Sequence, residues 1–136
     1  MDTLSPERRS WLMSRVRAKN TKPELVVRRL VFSMGYRYRL HDKTLPGTPD
    51  LVFPGRKKAI FVNGCFWHGH ANCRYGRLPK SRTAFWQAKI DRNRQRDADN
   101  IANLQAAGWQ VLTVWQCELK ELEILMSKLN EFIQNE

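Results

Sequence analysis

The chain has 136 residues, with 24 lysines and arginines against 13 acidic residues, a net charge of +11. That length bounds one domain, here residues 1–136, with a single ordinary core; with no apolar run of spanning length and no charged-then-apolar leader, a soluble cytoplasmic protein is expected and a membrane role is not. The charge is concentrated in residues 1–96, with 22 basic, mostly arginine, against 6 acidic, while residues 97–136 carry 2 against 7; a basic region of that kind attracts polyanions, nucleic acid before an anionic membrane surface.

In chain order, Ser5-Pro6-Glu7 reads as an N-cap with proline at the first helical position and predicts a short helix over 5–16. Thr21-Lys22-Pro23-Glu24 has the capping-box pattern and predicts a second helix through residue 34, stopped by Gly35. Residues 36–39 alternate as a strand does, and 50–53 and 59–62 are short apolar strands joined through Pro54-Gly55. A long helix follows over 81–107, ended by Gly108, then a strand over 111–115 and a last helix with Leu122, Leu125, Leu129 and Phe132 on one stripe. The order α-α-β-β-β-α-β-α implies an α/β fold, a mixed central sheet flanked by helices on both faces. Residues 91–99 contain no apolar residue but Ala98, so that part of the long helix faces water or phosphate.

Every cysteine in the chain belongs to one ligand set. Cys65, His70 and Cys73 lie within Cys65-Phe66-Trp67-His68-Gly69-His70-Ala71-Asn72-Cys73, and Cys117 is the distant fourth member. Cys3His is the donor set of a closed structural zinc site. The loop it would fix carries two aromatic side chains and a second histidine, His68.

Pro49-Asp50 opens one strand and Val62-Asn63 ends the next, an arrangement that resembles the metal-dependent nucleases of the restriction-endonuclease-like fold. Read alone, Pro-Asp before an apolar run is more often a turn than a catalytic site. Four strings narrow the resemblance: Leu45-Pro46-Gly47-Thr48-Pro49-Asp50, Gly64-Cys65-Phe66-Trp67-His68-Gly69-His70, Arg82-Thr83-Ala84-Phe85-Trp86, and Gly108-Trp109 through Trp115-Gln116-Cys117. Together they resemble the very-short-patch-repair DNA mismatch endonucleases, from about Arg15 to the last helix.

The resemblance implies an enzyme that uses Mg2+ to nick DNA 5′ of the mispaired T in T:G mismatches left by deamination of 5-methylcytosine. It makes Asp50 the Mg2+ carboxylate, helped by the main-chain carbonyl of Val62, with His68 the proton-transfer residue and Glu24 near the ion's waters. From the residues alone, Glu24 reads as a capping-box residue. At Asn63 the chain departs from the family pattern, in which a histidine stands; an amide still hydrogen-bonds but takes up no proton near neutral pH. For recognition, Phe66, Trp67 and Trp86 match the aromatic wedge beside the mispair, Met13 the residue approaching from the opposite groove on an N-terminal arm over 1–20, and Lys89 and Asn93 contacts near the mispair. Trp109 and Trp115 read as core. A monomer is implied, with functional links to a cytosine-5 methyltransferase and to mismatch-repair proteins. The rival readings are a nuclease of this fold with another DNA substrate and a non-catalytic zinc module that binds DNA.

Overall fold

The computed structural model describes residues 21–71 and 73–135. The helix expected over 5–16, the N-terminal arm and Met13 lie outside the described residues. Helix α1, Lys22–Ser33, starts where expected: Thr21 is its N-cap, and its hydroxyl accepts from the Glu24 backbone N–H at 3.4 Å. Strands β1 (Arg39–Leu40), β2 (Leu51–Phe53) and β3 (Lys58–Asn63) follow, then helix α2 (Thr83–Ala106), strand β4 (Gln110–Trp115) and helix α3 (Leu122–Gln134).

The strand expected over 36–39 is only the two residues of β1. The three-residue β2 offers β1 two register pairs, Arg39 with Val52 and Leu40 with Leu51. The two tyrosines before β1 are tied elsewhere: the Tyr36 hydroxyl donates to Asn130 Oδ1 at 2.6 Å and the Tyr38 hydroxyl to the Arg28 carbonyl at 3.2 Å.

The sheet order is β1-β2-β3-β4, the first two pairings antiparallel and β3 with β4 parallel. One face carries the main core, in which Val27 and Val31 of α1 and Leu125, Leu129 and Ile133 of α3 pack with Leu51, Phe53, Ile60 and Val114. Burying each of these side chains contributes roughly 1.5–3 kcal/mol. The apolar stripe of α3 is therefore rotated from the expected one: Leu122, in the first turn, is exposed, and Ile133 rather than Phe132 is fully buried. Lys58, itself buried, donates from Nζ to the Phe132 and Ile133 carbonyls and so caps the end of α3.

Val52 and Ala59, which alternate onto the other face, are fully buried too. Helix α2 links the parallel strands β3 and β4, packs on β4 and buries Trp86, Ile90 and Leu104. Its polar middle keeps the same inward spacing, with Asn93, Asp97 and Asn100 only half-exposed. Among the described residues, no helix is long and apolar enough to cross a membrane.

One end of the sheet collects the chemistry-bearing residues. β3 and β4 both run to that end, β2 begins there, and β1 finishes there. The parallel register ends with Asn63 beside Trp115, so two residues further on each strand reaches a cysteine, Cys65 and Cys117.

Candidate active site

A cleft of about 1300 Å³ opens at this end, lined by Glu24, His41, Asp50, Asn63, Trp67 and His68, and on the α2 side by Lys89, Arg96, Asp97 and Asn100. Asp50 stands just before β2, where β3 runs on past its antiparallel partner. The Val62 N–H on that overhang has no strand carbonyl to meet, and the Asp50 carboxylate accepts it at 2.7 Å. Burial pushes the Asp50 carboxyl up to about 7; the Val62 N–H works against this shift and the neighbouring Glu24 carboxylate adds to it. Glu24 is 1% exposed. Thr21 fulfils its half of the capping box, but the Glu24 carboxylate serves the cleft, with His41 Nε2 at 2.9 Å from each of its oxygens and Arg28 at 3.4 Å from one. Ligand atoms of Glu24, His41 and Asp50 all lie within 4.8 Å of one another. Two carboxylates converging in a desolvated site are a donor set that suits a hard divalent cation.

His68 sits on the loop after β3, its backbone N–H bonded to the Gly64 carbonyl at 3.2 Å. Its Nδ1 lies 2.6 Å from Asp97 Oδ2 on α2. Since a carboxylate only accepts, Nδ1 carries the proton, and a neutral ring then has its lone pair on Nε2. The loop can lie this close to α2 because of Gly69. At its φ of 62° a Cβ would stand 2.5 Å from Ile90 Cγ2 and 2.7 Å from Arg94 Cδ.

Cys65, His70, Cys73 and Cys117 come together as expected, with ligand atoms within 4.8 Å of one another and Cys117 Sγ 3.5 Å from His70 Nδ1. That separation is about the S···N edge of a tetrahedron built from zinc–sulfur and zinc–nitrogen bonds. Burial pushes the Cys65 thiol up to about 12. At Cys73 burial also opposes ionisation, but the Tyr75 backbone N–H and the His70 and Cys65 side chains outweigh it and bring the thiol down to about 7. One readily ionised thiol beside one that holds its proton is a cluster that a cation would complete by displacing protons. Trp115 is not core: it is half-buried and stacks on His70, ring centroids 4.2 Å apart and planes 9° from parallel. Trp109 is likewise only partly buried.

Beside the cleft, Phe66, Trp67 and Trp86 form an edge-to-face cluster with centroids 5.3 to 6.1 Å apart, and Phe85 joins it through Trp86 at 5.1 Å. Trp86 is 6% exposed, so it backs the cluster, while Phe66 and Trp67 are partly open and Phe85 exposed. Lys89 Nζ lies 5.4 Å from the Trp67 ring centre. Asn93 donates its amide to the Trp67 carbonyl at 2.9 Å, tying the aromatic loop to α2.

Residues 1–74 match the family model described as DNA mismatch endonuclease Vsr. The chain belongs to the Vsr family. Over 132 residues it is 58% identical to the type II nicking enzyme V.XorIIP of Xanthomonas oryzae pv. oryzae, covering 97% of this chain and 96% of that protein. It is 42% identical to the type II nicking enzyme V.NmeAIP of Neisseria meningitidis over 98% of this chain and 94% of the relative. To the DNA mismatch endonuclease Vsr of Escherichia coli it is 38% identical, over 94% of this chain and 85% of the relative.

As a Vsr-family chain it brings Asp50, Glu24, Asn63 and His68 to one cleft, with the Cys3His cluster and the aromatic cluster on its flank. Sequence reasoning missed His41 and Asp97. Asp97 stands in the polar stretch of α2, whose lack of apolar residues was a signal, but nothing local pairs it with a histidine 29 positions earlier. His41 follows a two-residue strand and belongs to no motif.

Proposed function

We propose that this protein is a Mg2+-dependent endonuclease that nicks DNA 5′ of the mispaired T of T:G mismatches, starting very-short-patch repair of deaminated 5-methylcytosine. The observation that carries the reading is one cleft holding both a desolvated carboxylate pair, Asp50 with Glu24, and a histidine oriented by a carboxylate, His68 with Asp97, next to a partly open aromatic cluster. Asp50 and the Val62 carbonyl would hold Mg2+, with Glu24 beside its waters; when bound, the ion polarises a phosphoryl oxygen and lowers the pKa of water. His68 exchanges a proton through Nε2 while Asp97 holds the ring's tautomer and direction. Lys89 and Arg96, on the α2 wall, attract the phosphates. Asn63 offers an amide that hydrogen-bonds but takes up no proton.

Phe66 and Trp67 would enter the base stack beside the mispair, with Trp86 behind them and Lys89 and Asn93 at the same wall; unstacking costs less at a weak pair, which favours mismatched over matched DNA. Cys65, His70, Cys73 and Cys117 would hold a structural zinc that fixes the His68 loop. The mixed sheet with its acid at the head of β2 supports a restriction-endonuclease-like core. The partner is double-stranded DNA with a T:G mismatch, met by a cytoplasmic monomer acting downstream of a cytosine-5 methyltransferase and alongside mismatch-repair proteins.

The test is nicking of a T:G duplex and of its matched T:A counterpart in Mg2+. The parent should nick the T:G duplex. Asp50→Ala should nick neither while still binding DNA, and His68→Ala should lose about 10²–10⁴-fold in rate. Equal cutting of both duplexes would point to another DNA substrate, and binding without cutting to a zinc module.

A further inference from the structure

The imidazole of His41 meets the Glu24 carboxylate, and neither the sequence motifs nor the proposed mechanism uses it. Its Nε2 lies 2.9 Å from Oε1 and 2.9 Å from Oε2, an even two-oxygen contact, whereas Arg28 reaches one oxygen only, at 3.4 Å. The contact is built by the sheet. β1 pairs Leu40 with Leu51, and the pairing runs one step further as the His41 N–H donates to the Asp50 carbonyl at 3.1 Å, so His41 stands across from Asp50 where both chains leave the sheet. The intervening loop is closed tightly: Asp42 Oδ1 accepts from the Thr44 N–H at 2.9 Å, and Gly47, at a φ of 76°, packs where a Cβ would meet Asn100 Nδ2 at 2.9 Å. His41 itself is held at a φ of 49°, in the left-handed region, which few non-glycine residues occupy and histidine enters more readily than most.

We propose that His41 is a positioning residue for Glu24: it donates Nε2–H to both carboxylate oxygens and holds them turned toward the Asp50 end of the cleft. This rests on the nuclease reading above and adds to it a named source of precision for the carboxylate nearest Asp50. Glu24 is anchored through its backbone in the first turn of α1, and its side chain, on three rotatable bonds, is met by His41 at both carboxylate oxygens. A carboxylate accepts and does not donate, so Nε2 serves as a donor and its lone pair is not available to an ion. The function needed at position 41 is therefore an N–H of suitable reach rather than an imidazole.

The test compares His41→Gln, whose amide N–H reaches to a similar position, with His41→Leu, which fills similar space and donates nothing. Two readouts are taken on the full-length protein: binding of Mn2+ alone, followed by the loss of its free-ion paramagnetic resonance signal, and single-turnover nicking of a T:G duplex against Mg2+ concentration. His41→Leu should weaken Mn2+ binding and raise the Mg2+ needed for half-maximal rate by about 10- to 100-fold, the usual effect of removing a partner that orients a metal-site carboxylate, with the dissociation constant for DNA unchanged. His41→Gln should recover most of the loss. If His41→Leu binds Mn2+ and cuts as the parent does, His41 does not position Glu24 and the proposal is overturned. If His41→Gln is as impaired as His41→Leu, the imidazole does something that an amide N–H cannot, and the proposal is overturned as well. Should His41→Leu fail to fold, the glutamine variant alone decides, since parent-like Mn2+ binding is expected of it. A parent that binds Mn2+ but never nicks would instead strike at the nuclease reading.

Discussion

The folded chain favours the protonated form of Asp50 more than water does. Its carboxyl takes up a proton near 7 rather than 3.8, through burial first and through the nearby Glu24 charge as well. A carboxyl whose folded value is raised binds its proton more tightly folded than unfolded, so its contribution to stability is full in acid and is lost as pH climbs from about 4 to about 7. Above that window the metal-free protein carries a desolvated charge. Asp50→Asn keeps an oxygen to accept the Val62 N–H and removes the charge, so it should melt higher than the parent at about pH 8 without divalent ions, by on the order of a few kcal/mol at most, and close to the parent at about pH 4. Mg2+ should raise the melting temperature of the parent at about pH 8 and leave that of the variant alone. A variant no more stable than the parent at the higher pH would mean that Asp50 keeps its water. This residue was legible because Pro-Asp heads an apolar strand within a longer motif. His41 was not, because its role depends on a cross-strand pairing and on one backbone angle that no local pattern encodes.

At the level of elements, α2 shows how a polar stretch can still have an inside. The composition of residues 91–99 predicts a segment that faces water or phosphate, and most of them are exposed; yet Asn93, Asp97 and the following Asn100 keep the helical spacing of Trp86, Ile90 and Leu104, Asn93 bonding the aromatic loop while Asp97 and Asn100 line the cleft. Periodicity of apolar residues reveals a buried face and is silent where that face holds hydrogen-bonding groups. The Cys65–Cys73 loop is fitted to this wall at Gly69, next to His68 and His70. Gly69→Ala should destabilise the protein by about 1–3 kcal/mol, because the added methyl group meets the buried Ile90 and the backbone angle resists a side chain. Gly55→Ala, where a Cβ meets nothing within 4 Å, should change the melting temperature little. Thermal melts of both variants, with zinc content measured alongside, check this; a Gly69→Ala protein as stable as the parent would mean that the loop lifts off α2 at no cost. The Cys3His grouping at the root of this loop was legible from composition, since the chain has three cysteines to place, whereas the meeting of Cys65 and Cys117 follows from the parallel register of β3 and β4, which the sequence does not state.

Across the whole molecule, the proposed function assigns attraction to DNA and choice of DNA to different side chains. The basic excess lies in residues 1–96, while the aromatic cluster of Phe66, Trp67, Phe85 and Trp86 contributes no net charge. Phosphate contacts set affinity and its salt dependence without reading the pairing between bases, whereas a ring entering the stack responds to how firmly those bases are held. Trp67 is the informative member. It is partly open, lines the cleft that holds Asp50 and His68, and has Lys89 over its ring and Asn93 on its carbonyl. Trp86, being buried, would mix a folding effect into any result. Trp67→Ala should therefore lower nicking of a T:G duplex by the loss of a stacking contact, about 1–3 kcal/mol, while non-specific affinity and its salt slope barely move. The measurement is the ratio of nicking on T:G to nicking on matched T:A duplex at one fixed salt concentration, for parent and variant. A fall in that ratio is expected; an unchanged ratio would return Trp67 to the role of a packing residue and leave mismatch choice without a structural source in this cluster.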